Sequence, residues 1–132
     1  MVTTAVKYSI VMLVDDNPME NMVNGQLITA SGFAKKINSF ETGNAMLDFL
    51  KSASPDELPE VIFLDILMPG MDGFQFLEEF EKLDEGVRKR CKVVMLSSSD
   101  SFKDLNRANK NKLVRKFLNK PLTIEMLAAI NV

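Results

Sequence analysis

The sequence predicts an α/β fold in which a five-stranded parallel sheet is doubly wound, with five helices flanking its two faces. Five short apolar runs alternate with segments whose apolar residues recur at helical spacing. That alternation is typical of βαβ crossovers, which place helices on both faces of a parallel sheet. No internal repeat, low-complexity tract or linker interrupts the 132 residues. We therefore predict one domain, over residues 1–132, built on a single core.

The first strand and the first helix are marked by an apolar run followed by a capping signal. Tyr8–Val14 is predicted to be a buried strand because nearly all of its residues are apolar. Asn17 is a good N-cap residue, and Pro18 suits the first helical position. The helix is expected to run until Gly32 and to bury its apolar residues at helical spacing: Met19, Met22, Val23, Leu27 and Ala30.

The remaining elements follow the same pattern along the chain. Four further strands are short apolar runs bounded by polar or turn residues: Ala34–Phe40, Val61–Leu64, Lys92–Leu96 and Val114–Leu118. Four further helices start at residues that can cap them: Thr42 or Asn44, Asp72, the segment 97–100 and Thr123. The last helix ends near Ile130, and Glu125 in its first turn suits the helix dipole.

Composition excludes several classes of protein. No apolar run approaches the ~20 residues that span a bilayer, so we expect no membrane segment. The chain has no histidine, which removes Ser-His and Cys-His nucleophiles and most zinc sites. Its one cysteine, Cys91, cannot form an internal disulfide and is expected to be a buried thiol. A reducing compartment such as the cytoplasm fits this cysteine usage.

Polar side chains follow four of the five predicted strands. Asp15 and Asp16 end the first strand, Asp65 the third and Ser97 the fourth, and Lys120 follows the fifth. In open parallel sheets this edge holds the ligand site. Three neighbouring carboxylates repel one another unless a cation lies between them. Oxygen ligands favour Mg²⁺, with Mn²⁺ also possible.

These polar residues also have plainer interpretations. Asp15 and Asp16 would be N-capping residues, although Asn17 is the better cap and only one acid is needed. Lys120 would be an ordinary surface lysine. No helix is predicted to begin soon after Asp65, so capping does not explain that acid.

Four segments resemble the receiver domain of two-component response regulators, the CheY-like family. They are MLVDDN at 12–17, FLDILMPGMDGF at 63–74, VVMLSS at 93–98 and FLNKP at 117–121. The resemblance covers about residues 8–130 and implies a flavodoxin-like, CheY-like fold with strand order 2-1-3-4-5. It also implies a stand-alone receiver, since nothing after the last helix encodes an output domain.

The resemblance implies a phosphoryl-transfer site. Asp65 would be the phosphoacceptor, receiving the group from a sensor histidine kinase or a histidine phosphotransfer protein. Asp16 would bind Mg²⁺ directly, Asp15 mostly through water, and Asp65 and the backbone carbonyl of Leu67 would complete the metal site. A leucine at position 67 cannot orient an attacking water, so the phosphorylated form is expected to hydrolyse slowly. Ser99 occupies a second position that influences this lifetime in the family.

The resemblance also implies a switch. Ser97 and Lys120 would contact phosphoryl oxygens, with the amide of Ser98 as a further donor. Phe117 matches the family's aromatic switch position, although plain core packing also explains it. Phosphorylation would then change the surface formed by the fourth helix, the fifth strand and the fifth helix.

The charge distribution indicates what would bind that surface. Residues 1–85 carry 5 Lys/Arg against 15 Asp/Glu, whereas residues 86–120 carry 11 against 2. Solvated faces of opposite sign are one interpretation, and a basic docking face for an acidic protein target is the other. Direct nucleic-acid binding is disfavoured because the chain is net acidic and the basic stretch lacks stacking aromatics.

Three other functions compete with a receiver. A haloacid dehalogenase-like phosphatase or phosphotransferase also uses an aspartyl nucleophile. Such enzymes carry an Asp-x-Asp motif at the nucleophile, whereas the residue two positions after Asp65 is Leu67, which cannot serve as an acid. A phosphate-independent pseudo-receiver would be expected to lack some of the site residues. A nucleotide-binding flavodoxin-like protein needs a Gly-rich loop after the first strand. We therefore expect a protein that is not an enzyme and is either a terminal output or a phosphorelay intermediate.

Overall fold

The computed structural model describes residues 6–98 and 102–132. The strands are β1 (Tyr8–Val14), β2 (Ala34–Phe40), β3 (Val61–Asp65), β4 (Lys92–Ser97) and β5 (Val114–Asn119). The helices in the described residues are α1 (Pro18–Ala30), α2 (Gly43–Ser52), α3 (Gly73–Phe80), α4 (Glu85–Arg90), α5 (Phe102–Lys110) and α6 (Ile124–Ala129). A 3-10 turn lies at Pro55–Glu57. None of these helices is both long and apolar enough to cross a membrane.

The five strands form one sheet in the order β2-β1-β3-β4-β5, and every neighbouring pair is parallel. This confirms the predicted doubly wound α/β fold and its strand order. The register places Val14 opposite Leu64, and Asp65 opposite Leu96. The carboxyl ends of β1, β3 and β4 therefore lie side by side at one edge of the sheet.

The core lies on both faces of the sheet because side chains alternate along each strand. On one face, Met12, Ile62 and Met95 pack against α2 and α3, and the buried thiol of Cys91 belongs to this cluster. On the other face, Leu13 and Phe63 pack against α1 and α6. The two clusters position the helices so that the carboxyl edge of the sheet stays open.

The predicted helix starts are confirmed where the structure describes them. Side-chain oxygens at four N-cap positions accept backbone N–H groups of the first helical turn: Asn17, Thr42, Asp72 and Thr123. Asp72 and Gln75 form a reciprocal capping box. The start predicted within 97–100 falls largely outside the described residues, because 99–101 are not among them.

The structure adds a sixth helix to the five that were predicted. Helix α4 has six residues and only one apolar side chain, Val87, so it carries no helical apolar stripe. Val87 packs at the edge of the core, and three basic residues in the last turn suit the helix dipole. The predicted fourth and fifth helices are consequently α5 and α6.

The predicted buried face of α1 is wrong except at Leu27, which packs against the core. Met19, Met22 and Val23 are 67%, 56% and 53% exposed, whereas Asn21 and Ile28 are buried. The amide nitrogen of Asn21 donates to the carbonyl of Asp15 at 2.9 Å and to that of Phe40 at 3.3 Å. A buried amide N–H needs such partners, and carbonyls at the ends of β1 and β2 provide them, whereas Oδ1 of Asn21 has no hydrogen-bond partner in the described residues. This contact, rather than the apolar periodicity, sets the rotation of the helix.

Candidate functional site at the carboxyl edge of the sheet

Strand ends bring the predicted residues to one edge. Asp65 is the last residue of β3 and Ser97 the last of β4, while Asp15 and Asp16 follow β1 directly. Lys120 follows β5, and its backbone N–H donates to the carbonyl of Ser97 at 2.8 Å. The Lys120–Pro121 peptide bond is cis. Four separate strands thus contribute to a single site.

The three aspartates form a compact oxygen cluster. One carboxylate oxygen from each of Asp15, Asp16 and Asp65 lies within 4.8 Å of the other two. Asp15 and Asp65 are each 4% exposed, whereas Asp16 faces solvent. The N–H of Asn17 donates to Oδ1 of Asp15 at 2.9 Å and holds that carboxylate in place. Helix capping therefore does not account for Asp15, since Asn17 itself is the cap.

Lys120 lies between the buried acids. Its Nζ is 2.9 Å from Oδ2 of Asp15 and 3.3 Å from Oδ1 of Asp65. It is also 3.1 Å from Oε2 of Glu20, in the first turn of α1. Lys120 is thus no ordinary surface lysine, and its side chain is only 12% exposed.

Sequence reasoning missed Glu20. The one indication in the sequence was the position of Glu20. Asn17 and Pro18 place it third in α1, near the strand end that carries Asp15. An acid in a first helical turn is ordinarily explained by the helix dipole, so nothing in the sequence pointed to Lys120 as its partner.

The electrostatics of the site follow from this crowding. Burial, and then the neighbouring charge of Asp15, raise the pKa of Asp65 to about 6, while Lys120 acts in the opposite direction. Burial alone would lower the pKa of Lys120, but hydrogen bonds and charges from Asp15, Asp65 and Glu20 raise it above its ordinary value. Asp65 thus changes between its neutral and charged forms near pH 6.

The cluster fits a divalent cation. All of its side-chain donors are carboxylate oxygens, which suit Mg²⁺ and also Mn²⁺. The repulsion between Asp15 and Asp65 that raises the pKa of Asp65 is what a bound cation would relieve. Leu67 lies two residues past β3 with an exposed side chain, and ligation by its backbone carbonyl stays a prediction.

The predicted switch residues lie on the β4–β5 side of the site. Ser97 is buried, one residue beyond Leu96, the partner of Asp65 in the sheet. Phe117 is partly buried against the core and lies opposite Met95 in the β4–β5 register. Ser98 is exposed beside the site, and Ser99 lies outside the described residues. Ser97 ends β4 next to the end of β3 that carries Asp65, whereas Phe117 lies further back along β5.

Gly73 is a second residue that sequence reasoning did not single out. Its N–H donates to the carbonyl of Ile66 at 2.9 Å, which draws the start of α3 against the end of β3. A Cβ at position 73 would lie 2.8 Å from the carbonyl oxygen of Asp65 and 2.9 Å from Cε of Met95. Only glycine lets the helix approach the backbone of Asp65 this closely.

We expect Gly73→Ala to lower the free energy of unfolding by about 1–3 kcal/mol, because the added methyl group overlaps backbone atoms. Urea denaturation measures the change. Gly86→Ala in α4 is the matched control, since a Cβ there meets nothing within 4 Å and alanine favours a helix. Equal stability of the two variants would show that the close approach at Gly73 is not required.

Comparisons with known proteins agree with this geometry. The sequence matches the family model of the response regulator receiver domain over residues 11–131. It is 32% identical over 120 residues to the probable methanogenesis regulatory protein FilR2 of Methanothrix harundinacea. The aligned segment covers 89% of this chain and 76% of that protein.

Solved structures give the same result. A response regulator receiver protein from Dyadobacter fermentans superposes with a TM-score of 0.83 at 32% identity, covering 90% of this chain and 91% of that chain. A two component response regulator from Cytophaga hutchinsonii has a TM-score of 0.83 at 30% identity, with 92% of both chains covered. From its sequence, its fold and the residues at the carboxyl edge of its sheet, this chain belongs to the response regulator receiver domain family of two-component signalling.

Proposed function

We propose that Asp65 accepts a phosphoryl group from a sensor histidine kinase or a histidine phosphotransfer protein in a Mg²⁺-dependent reaction. The observation that carries the proposal is the position of Asp65. It is a buried carboxylate 3.3 Å from Nζ of Lys120, and it belongs to a cluster of three acids whose oxygens lie within 4.8 Å of one another. Under this proposal the domain signals through contacts with other proteins.

The chemistry follows from the groups present. A carboxylate oxygen of Asp65 attacks the phosphorus, an O–P bond forms, and the N–P bond to the donor imidazole breaks. Lys120 offsets the negative charge that arrives at the buried site. A Mg²⁺ ion held by Asp15, Asp16 and Asp65 would neutralise charge on the transferring group. The carboxylate of Asp15 is oriented by the backbone N–H of Asn17.

The readout would be a population shift on the β5 side. The backbone bond from Lys120 to Ser97 ties the end of β5 to the end of β4, so a movement of either residue reaches both strands. Ser97 and Lys120 would move toward the phosphoryl oxygens, and Phe117 would turn toward the core. A few hydrogen bonds supply only about 1 kcal/mol each, so the two states must differ by a few kcal/mol.

The direct test is phosphorylation of the purified protein. Incubation with Mg²⁺ and acetyl phosphate should add the mass of one phosphoryl group, and peptide mapping should place it at Asp65. A chelator should abolish the gain. Beryllofluoride should shift the amide NMR signals of α5 and β5 in the same direction as phosphorylation shifts them. Absence of both responses with every competent donor would exclude the proposed function.

Mg²⁺ binding is expected to weaken as the pH falls through about 6, the raised pKa of Asp65. Below that pH a proton occupies the carboxylate that the cation needs, and affinity should fall up to about tenfold per pH unit. Magnesium titrations on both sides of this pH, followed by amide NMR shifts, measure the effect. Asp65→Asn should remove this pH dependence, and its persistence in that variant would assign it to another group.

We propose that the downstream target is an acidic protein that binds the basic surface of α5 and β5. This surface carries exposed positive side chains: Arg107, Lys110, Lys112, Arg115 and Lys116. Cζ of Arg107 lies 3.9 Å from the centroid of the Phe74 ring in α3, so this contact joins the basic surface to the helix that follows β3.

Binding to this surface should weaken as salt rises, because exposed charge pairs are screened. Reversing Lys110 and Lys112 to glutamate should weaken it further, and Lys51→Glu on α2 serves as the control. Target binding that is indifferent to salt and to the reversal would exclude the basic surface. We do not propose direct nucleic-acid binding, since the stretch 106–116 that carries these charges contains no aromatic residue for stacking, although Phe102 at the start of α5 is exposed.

We propose that the protein is not an enzyme that turns over a substrate. A haloacid dehalogenase-like reaction needs an acid two residues after the nucleophile, and Leu67 occupies that position. A phosphate-independent receiver is not favoured either, because the acids and Lys120 are in contact. The cytoplasm remains the proposed compartment, on the evidence of a single, buried and unpaired cysteine.

A further inference from the structure

Lys120 has more partners than phosphoryl binding requires. Its ammonium lies within 3.3 Å of oxygens from three carboxylates: Asp15, Asp65 and Glu20. The first two are buried and belong to the acid cluster, whereas the Glu20 side chain is 41% exposed and lies outside it. Glu20 is therefore the one of these three partners that a cation at the cluster would leave untouched.

The local geometry of α1 directs Glu20 to Lys120. Glu20 is the third helical residue, where a glutamate commonly accepts the N–H of the N-cap residue. Here the N–H of Asn17 donates to Asp15 instead, at 2.9 Å. The Glu20 carboxylate instead accepts from Lys120 Nζ through both oxygens, at 3.1 and 3.3 Å. A favourable helix dipole explains an acid at this position but not its contact with Lys120.

Lys120 and a divalent cation would compete for the same two carboxylates. The ammonium lies 2.9 Å from an oxygen of Asp15 and 3.3 Å from an oxygen of Asp65, and a cation bound between these acids would draw them away from it. A lysine that moves away from buried acids loses its counter-ions unless another carboxylate lies within reach. Glu20 already touches the ammonium, so it can keep Lys120 paired during this exchange.

We propose that Glu20 is a positioning residue that holds the Lys120 ammonium when a divalent cation occupies the acid cluster. It thereby lets Asp15 and Asp65 bind the cation without leaving a buried ammonium unpaired. This inference rests on the proposed metal-dependent function. The chemical exchange is simple: one ammonium moves from two aspartates to one glutamate, and a hydrated dication takes its place.

The test is a double-mutant cycle on cation affinity, measured without any phosphoryl donor. Mn²⁺ binding is followed by electron paramagnetic resonance, and Mg²⁺ binding by amide NMR shifts. In the wild-type background, Glu20→Gln should weaken binding about threefold, the size expected for a partly exposed ion pair. In the Lys120→Met background the same substitution should have no effect, because no ammonium remains to be held. Lys120→Gln, whose amide can still donate to Asp15, provides a second background if Lys120→Met does not fold.

The cycle separates this role from plain electrostatics. Loss of a negative charge near the cluster would weaken cation binding equally in both backgrounds, and that result would overturn the proposal. So would unchanged affinity in Glu20→Gln. Glu41→Gln, which removes an exposed acid directly after β2 at the same edge of the sheet, should leave affinity unchanged. If the wild type binds the cation and is phosphorylated but Glu20→Gln leaves cation affinity unchanged, only this inference fails. If the wild type binds no cation, the proposed function fails as well.

Discussion

Replacing Asp65 with asparagine is expected to reduce phosphorylation by acetyl phosphate at least about a thousandfold, since the variant lacks the oxygen nucleophile. An amide is close in size to a carboxylate, so the fold and the surrounding acids should remain in place. Mass spectrometry of wild type and variant after incubation with Mg²⁺ gives the measurement. Asp48→Asn, an exposed acid on α2, is the control and should be phosphorylated normally.

The same substitution should also stabilise the metal-free protein. The pKa of Asp65 is raised from its ordinary 3.8 to about 6, so the folded state holds this proton more tightly than the unfolded state does. The stabilisation that protonated Asp65 supplies is complete below its pKa in the unfolded state. It is lost as the pH rises through its pKa in the folded state. At neutral pH the charged carboxyl therefore destabilises the fold, and Asp65→Asn should raise the free energy of unfolding by about 1–3 kcal/mol.

Two outcomes would contradict these expectations. Phosphorylation of Asp65→Asn at the wild-type rate would place the acceptor elsewhere in the chain. A variant that is less stable than wild type at neutral pH, without metal, would show that the contact between Asp65 and Lys120 outweighs the burial of the charge.

Lys120→Met is expected to destabilise the metal-free protein by about 3 kcal/mol at neutral pH. It leaves the buried carboxylates of Asp15 and Asp65 without their ammonium partner, and breaking a buried ion pair from one side is costly. Urea denaturation measures the loss. The deficit should shrink as pH falls toward about 6, because without Lys120, which lowers the pKa of Asp65, this carboxyl becomes neutral at a higher pH in the variant than in the wild type. It should also shrink with Mg²⁺, which replaces the missing positive charge.

Lys82→Met is the matched control for burial. Its ion pair with Glu79 is exposed, with side chains 70% and 46% accessible, so the loss should stay below about 1 kcal/mol. Equal losses in the two variants would mean that Lys120 contributes no more than a surface lysine. Lys120→Met should also bind Mg²⁺ more tightly than wild type, since the competing ammonium has gone.

Much of the fold could be predicted from the sequence because its strands carry strong local signals. The limits of β1 and β2 match the predicted ones, and the three other strands each extend one residue further, to Asp65, Ser97 and Asn119. Those extra residues are polar, and a run of apolar residues cannot indicate that a strand continues into them. Helix α4 was missed for a related reason, since six mostly charged residues carry no helical apolar period.

The rotation of α1 shows where local signals fail. Met19, Met22 and Val23 share a helical face in sequence, yet they are exposed. Asn21 is turned inward because carbonyls of two different strand ends, at Asp15 and Phe40, accept its amide. Those acceptors come together only after β1 and β2 pair, so no segment of α1 alone contains the information.

The sequence by itself determined the order of the elements and the types of residue at the strand ends, because both depend on neighbours in the chain. It also determined that Asp15, Asp65 and Lys120 would meet, since parallel strands bring their carboxyl ends to one edge. Only the tertiary structure decided that Lys120 is shared among Asp15, Asp65 and Glu20. The contacts with Asp15 and Glu20 join residues 105 and 100 positions apart, and the strength of all three depends on burial that exists only when the helices have packed on the sheet.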